Sequence, residues 1–208
     1  MRPADDHYFY RPSEGHGLPH DPFNAIVAPR PIGWVSTRGT DGVVNLAPYS
    51  FFNAFSYAPP IIGFASTSRK DSVANAEATG EFCWNLVTED LAEAMNATSA
   101  TVPSDVDEME LAGLTPVPGD VVDVPYVAES PVAFECRTSQ VIRLTAADGS
   151  PAESWLTLGE VVGVHIATDL LVEGVYDTAA ARPLLRAGGP TAYFGIRPEQ
   201  RLDMRRPR

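Results

Sequence analysis

The stretch from Ala28 to Asn53, APRPIGWVSTRGTDGVVNLAPYSFFN, constrains the fold more than any other part of the chain. Val35, Ser36 and Thr37 suit a pleated strand, Gly39-Thr40-Asp41-Gly42 supplies turn chemistry, and Val43, Val44 and Leu46 resume the strand. The segment therefore reads as a β-hairpin. Pro48 has no N–H to give to a ladder and is expected to break it. The polar and aromatic residues around and after it are then expected to form a loop open to a ligand.

At 208 residues with a mean hydropathy of −0.09, the chain can bury one sizeable core without disulfide or metal staples. One domain is expected, covering residues 23–196, with an N-terminal arm over 1–22 and a basic tail over 197–208. The arm is rich in Pro, Gly, His and Asp and lacks sustained periodicity, and the tail RPEQRLDMRRPR reads as a solvated terminus. There is no signal-peptide pattern and no apolar run near the roughly 18 residues a span needs. Membrane insertion and secretion are not expected, which leaves a cytoplasmic location. The formal charge of −12 opposes a nucleic-acid partner, whose phosphates must be neutralised by Lys and Arg.

Further strands are expected behind Pro59-Pro60 in IIGFAS, Ile61 to Ser66, and in FCWNLV. Between them Asp71 is placed to cap a helix SVANAEAT, with Gly80 ending it in a left-handed conformation. A second helix is expected after Thr88 in EDLAEAMNAT, with two acids in its first turn. A third should follow Ser104, whose SDVD spacing resembles a capping box, and end at Gly113. PVAFECRTSQVIRL, the Ala147-Asp148-Gly149-Ser150 turn and SWLTLGEVVGVHIA form a long hairpin. Strands at both ends and short helical excursions indicate a closed or partly closed barrel.

Neither a GxGxxG turn nor a P-loop is present, so any phosphate must be held otherwise. Ser66-Thr67-Ser68-Arg69-Lys70-Asp71-Ser72 offers hydroxyls, two cations and a helix N-terminus, which match a dianionic monophosphate; the same run also reads as an ordinary exposed capping loop. LAPYSFFN offers freed backbone groups, Ser50, Asn53 and aromatic surface. That mixture suits a flat heteroaromatic ring, with the alternative that the aromatics are core and the polar residues cap a turn. His7, His16, His20 and His165 have no metal-ligand spacing, and no metal site is expected. His165, in VVGVHI, is a candidate for ligand contact or proton handling as well as for a satisfied histidine of the core or a cleft. Cys83 and Cys136 lie in apolar strands and read as buried free thiols.

In their order, PRPIGWVST, NLAPYSFFN, PPIIGFAS, KDSVANAEATGEFCWNLV, DEMELAGLTPVP, VAESPVAFEC and GEVVGVHI resemble the blocks of the flavin reductase-like, FMN-binding split-barrel family, in particular its flavoredoxin and monooxygenase reductase-component branch. The resemblance runs from about Phe23 to Gly195. It implies a mainly β fold with short helices, a six-stranded Greek-key split barrel that forms a homodimer with FMN near the interface. Ser36 and Thr37 would border the flavin. Asn45, Leu46, Ala47, Pro48, Tyr49, Ser50 and Asn53 would contact its ring and ribityl chain, and Ser66, Arg69, Lys70, Asp71 and Ser72 its phosphate end. Trp34 stands where an aliphatic residue is also common, and the RAGG turn would bring Tyr193 towards the partner's flavin.

The activity so implied is an FMN-dependent NAD(P)H oxidoreductase that passes hydride from nicotinamide to flavin and electrons on to free flavin, oxygen or a monooxygenase partner. Absence of an evident acid–base pair does not oppose it, because the cofactor carries the redox chemistry. Two other readings stand beside it: a non-enzymatic FMN-binding electron carrier of flavoredoxin type, and a barrel that has lost FMN and serves as a binding protein.

Overall fold

The computed structural model describes residues 6–207; residues 1–5 of the expected arm and residue 208 of the expected tail lie outside the described residues. Seven strands form one antiparallel sheet: β1 (Gly33–Arg38), β2 (Val44–Tyr49), β3 (Phe52–Tyr57), β4 (Pro60–Ser66), β5 (Glu81–Asn85), β6 (Val132–Thr145) and β7 (Pro151–Ile166). Their order is β2-β1-β5-β6-β7-β4-β3. The edge strands β2 and β3 are joined through Ser50 and Phe51 alone, so the sheet has to curl until its two edges meet. They meet where Ala65 N donates to Phe51 O at 2.8 Å. Placing β4 beside β7, with β5 to β7 consecutive, gives the Greek-key connection. The mainly β split barrel is as expected, with seven strands in its main sheet rather than six.

Two clusters lie on opposite faces of β1 and β2. Val35, Tyr49, Phe64, Phe82, Trp84 and Cys136 fill the barrel, together with Val73 and Ala76 from helix α2 (Asp71–Thr79). Trp34, Val44 and Leu46 face outward and are covered by Met95 of α3 (Ala92–Ala97) and Met109 of α4 (Glu108–Leu111). Alternation along a pleat explains why neighbours Trp34 and Val35 serve different clusters. A short helix α1, Phe23–Ile26, precedes the barrel. Cys83 and Cys136 are free and buried, as expected. No helix among the described residues is long and apolar enough to cross a membrane.

Three local expectations are corrected. Pro48 does not end the ladder: it pairs with Trp34, and Tyr49 pairs with Gly33, because β2 is an edge strand with no neighbour on its other side. The segment after it is therefore a tight strand–strand corner, not an open loop. Helix α2 is preceded by Lys70 at its N-cap, with no side-chain cap, and Asp71 is its first residue; Gly80 ends it at φ 76° as the sequence indicates. The cap of α4 is Asp107, whose carboxylate accepts from Met109 N at 2.8 Å, whereas Ser104 lies in the preceding turn. The long hairpin forms across Thr145 and Pro151 as expected, and Gly149 takes φ 84° in its turn.

Candidate functional site

The barrel closure brings the two ligand-type segments together. In the β3–β4 register Phe52 faces Phe64 and Asn53 faces Gly63. The Tyr49 and Phe64 rings lie 4.7 Å apart. The β2–β3 corner therefore adjoins the end of β4, which runs through Ser66 into the Thr67–Lys70 turn and helix α2. Gly33 is needed here, since a Cβ at that position would lie 2.8 Å from the Phe52 ring. Phe52 in turn stacks on Trp84 at 5.4 Å.

Arg30, which pattern reading did not single out, fixes this corner. Its guanidinium is buried and donates to Ser50 O at 2.9 Å, to Asn24 O at 2.6 Å, to Val27 O and, at 3.4 Å, to Ala187 O. It also lies 5.6 Å from the centre of the half-exposed Phe51 ring. One cation thus ties the corner to α1 and to the turn after Arg186. The available signal was an arginine bracketed by Pro29 and Pro31 in an apolar run.

Below the corner lies a buried polar chain. Ser72 Oγ donates to Asn45 Oδ1 at 3.4 Å, Asn45 Nδ2 donates to Glu108 Oε2 at 3.3 Å, and Leu46 N donates to the same oxygen at 2.9 Å. Burial pushes the Glu108 carboxyl above its ordinary pKa, with smaller contributions from Asp107 and Asp71, against the pull of the Leu46 N–H. Burial likewise raises the Tyr49 hydroxyl. Ser66 Oγ is buried beside the Tyr49 hydroxyl and makes no well-formed hydrogen bond among the described residues. An unpaired buried hydroxyl is costly, so this atom is a natural place for a ligand oxygen.

At the surface above it, Arg69 Nε donates to Glu77 Oε2 at 3.2 Å while its guanidinium lies 6.0 Å from the Trp155 ring centre. Arg143 approaches the same ring to 5.9 Å. Lys70 is exposed and has no side-chain partner among the described residues. Trp155 and Arg143, from the long hairpin, were invisible to motif reading and reach this place only because Trp155 pairs with Ser66.

The remaining expected residues divide by exposure. Ala47, Pro48 and Ser50 are half-buried, and Asn53, Arg69, Lys70 and Asp71 are exposed along the rim. Ser36 and Thr37 are fully buried: Ser36 Oγ donates to Pro125 O at 2.6 Å and Thr37 Oγ1 accepts from Asn75 Nδ2 at 3.2 Å. Their side chains hold the 119–127 segment and helix α2, so direct ligand contact through those hydroxyls is not what this geometry offers. Leu46 and Trp34 point into the outer cluster, where Trp34 Nε1 donates to Thr98 Oγ1 at 2.9 Å. His165 is also separate: it pairs with Ala133, Ala133 with Asn85, Asn85 with Trp34 and Trp34 with Pro48, so four strand spacings, about 19 Å along the sheet, lie between it and the corner. Its Nε2 lies 2.7 Å from Glu135 Oε1 and its ring stacks on Tyr126 at 4.4 Å. Tyr193 lies under Arg186, 4.9 Å from the ring centre.

A family model described as "Flavin reductase like domain" matches residues 27–185. The chain is 42% identical over 168 residues to an uncharacterised protein of Halalkalibacterium halodurans, covering 78% of this chain and 80% of that one. Among solved structures it is similar to nitrilotriacetate monooxygenase component B from Bacillus cereus, at 34% identity and TM-score 0.79, over 84% of this chain and 87% of that one. It is similar also to the 2-nitrobenzoate 2-nitroreductase NbaA of Pseudomonas fluorescens, at 29% identity and TM-score 0.76, over 89% and 88% of the two chains. The flavoredoxin of Desulfovibrio vulgaris (Miyazaki F) shares the fold at 22% identity and TM-score 0.72, covering 82% of this chain and 88% of that one. With the family model spanning most of the closed barrel and both segments of the corner site, the chain belongs to the flavin reductase-like family, and a flavin-related oxidoreductase function follows from that membership.

Proposed function

We propose that the protein is an FMN-dependent NAD(P)H oxidoreductase, and that FMN binds along the β2–β3 corner with its phosphate towards the β4–α2 turn. The observation that carries this reading is the unpaired, buried Ser66 hydroxyl beneath a rim bearing Lys70, Arg69 and an uncapped helix start. A phosphorylated, hydroxyl-rich chain would supply the partner that Ser66 lacks and the anion that the rim favours. Ser50, Asn53 and the backbone of Ala47 to Tyr49 would meet the polar edge of the ring, and Phe51 its apolar surface. The flavin, when bound, supplies two-electron redox chemistry. The protein's part is positioning: Arg30 fixes the corner, the Ser72–Asn45–Glu108 chain stiffens its floor, and Arg69, held between Glu77 and the Trp155 ring, presents a cation at the phosphate end.

The reading extends to a homodimer, supported by the apolar face of β3 and the adjoining β4 and β7 strands. Phe55, Tyr57 and Val164 are exposed there around a groove lined by Ile61, Ile62 and Phe134. A monooxygenase or other redox acceptor as partner, a cytoplasmic setting, and the division into an arm, a domain over 23–196 and a tail complete the proposal.

Visible absorbance of the purified protein with added FMN, followed anaerobically by NADH and then NADPH, tests it. Bound flavin that bleaches supports the reductase. Bound flavin that stays oxidised turns the assignment to an electron carrier, and absence of binding removes it. Replacing both Arg69 and Lys70 by Ala should weaken FMN binding at least about tenfold, as for lost charge-assisted contacts of about 1.5–3 kcal/mol each. Unchanged affinity would refute the phosphate assignment.

A further inference from the structure

Far from the corner site, Asp120, Glu135 and His165 bring one oxygen or nitrogen each to within 4.8 Å of one another. Glu135 is fully buried, and each of its carboxylate oxygens is already engaged twice. Oε1 accepts from Asp120 N at 3.0 Å and from His165 Nε2 at 2.7 Å; Oε2 accepts from Val121 N at 2.7 Å and Val122 N at 2.8 Å. Three backbone N–H groups and the imidazole converge on this carboxylate, which accepts from all four. With both Glu135 oxygens serving as acceptors, the ring hydrogen directed at Glu135 lies on His165 Nε2. Nδ1 is left with its lone pair outward.

Nδ1 faces Asp120 Oδ2 at 4.0 Å. That is too long for a hydrogen bond but close to the separation of two ligands on one ion, which is about 3.4 Å for tetrahedral bonds of about 2.0–2.1 Å. The Asp120 side chain is 84% exposed and can rotate to close the difference, while its own N–H is pinned by Glu135. Tyr126, stacked on the imidazole with 23° between the planes, holds the ring in place. We propose that His165 Nδ1 and Asp120 form a surface site for a divalent transition metal of the zinc, cobalt or nickel class, with Glu135 as the buried carboxylate that orients the imidazole. A carboxylate behind a ligating histidine fixes the tautomer and raises the basicity of the free nitrogen. One imidazole with one carboxylate, the other positions going to water, suits these ions better than calcium or magnesium. Glu135 itself is not a ligand, because both its oxygens are saturated by donors.

The test is calorimetric titration of the chelator-treated, full-length protein with Co²⁺, in parallel with Asp120→Asn, His165→Asn and a His16→Asn/His20→Asn double variant. One Co²⁺ per chain is expected, with affinity falling at least about tenfold in each of the first two variants and unchanged in the third, a loss of the size seen for ligand-supporting groups. Asp120 is exposed, so its substitution leaves the fold intact and decides the matter even where His165→Asn is unstable. Absence of saturable uptake at millimolar Co²⁺, or uptake indifferent to Asp120→Asn, would overturn the site. Long-range ¹⁵N–¹H correlation of the imidazole provides a separate check: a proton on Nδ1 rather than Nε2 would refute the orientation from which the site is derived.

Discussion

Arg30→Met removes the guanidinium that ties the β2–β3 corner to the rest of the molecule while keeping most of the aliphatic stem. Of its bonds, those to Ser50 O at 2.9 Å and Asn24 O at 2.6 Å have unstrained geometry and bridge different segments. Hydrogen bonds from a charged group contribute about 1.5–3 kcal/mol each, so losing two would cost about 3–6 kcal/mol. Two features reduce the figure. Ser50 is half-buried, so water can reach part of its backbone, and burial together with the neighbouring Arg186 makes the Arg30 charge costly to keep, lowering its pKa. A net loss of about 3 kcal/mol is therefore expected. With a urea slope of about 2 kcal/mol/M, the unfolding midpoint should fall by about 1.5 M. The assay is urea unfolding followed by tryptophan fluorescence, since Trp84 stacks on Phe52 beside the corner. A loss below about 1 kcal/mol would show that the corner is held by β pairing alone and would refute the role given to Arg30.

Gly33→Ala should lose about 1–3 kcal/mol in the same assay, because the new methyl collides with the Phe52 ring and disturbs its stacking on Trp84. Glu108 has a pKa raised by burial, so the native state loses stability as pH rises from the ordinary carboxylate range through the raised pKa, and regains it as pH falls back below that pKa. Glu108→Gln, which keeps an acceptor for Leu46 N–H, should therefore compare best with the parent at pH 8 and progressively worse at pH 5; chemical unfolding at both values checks the sign. Burial also raises the thiol pKa of Cys83 and Cys136, so neither should react with a thiol reagent at pH 8 in the folded protein, and both should react in denaturant.

Much of the candidate site is readable along the chain because its two segments are locally unusual. The hydroxyls and cations of Ser66–Ser72 and the aromatic and amide groups of Tyr49–Asn53 are concentrated in short stretches, where residue type alone narrows the chemistry. Trp155 and Glu108 contribute to the same place from distant positions with nothing in their own neighbourhoods to mark them, and Arg30 is marked only by the prolines on either side of it. Ser36 and Thr37 show the converse. The family resemblance would set them beside the flavin, whereas in the fold their hydroxyls are engaged internally with Pro125 O and Asn75.

The hairpins, the end of α2 at Gly80 and the burial of the two cysteines were determined by sequence alone, because pleat alternation, turn conformation and apolar context act over a few residues. Tertiary structure decided the rest. Pro48 stays in a ladder because β2 lies at an edge, which only sheet order settles. Asp107 takes the cap of α4 from Ser104 because Met109 and Glu108 must both face β2, which sets where the helix begins. Glu135 and His165, 30 residues apart, meet because β6 and β7 pair in register. Local preference can be read from neighbours in the chain, whereas pairing across a closed sheet depends on which surfaces are left to bury once every strand has been placed.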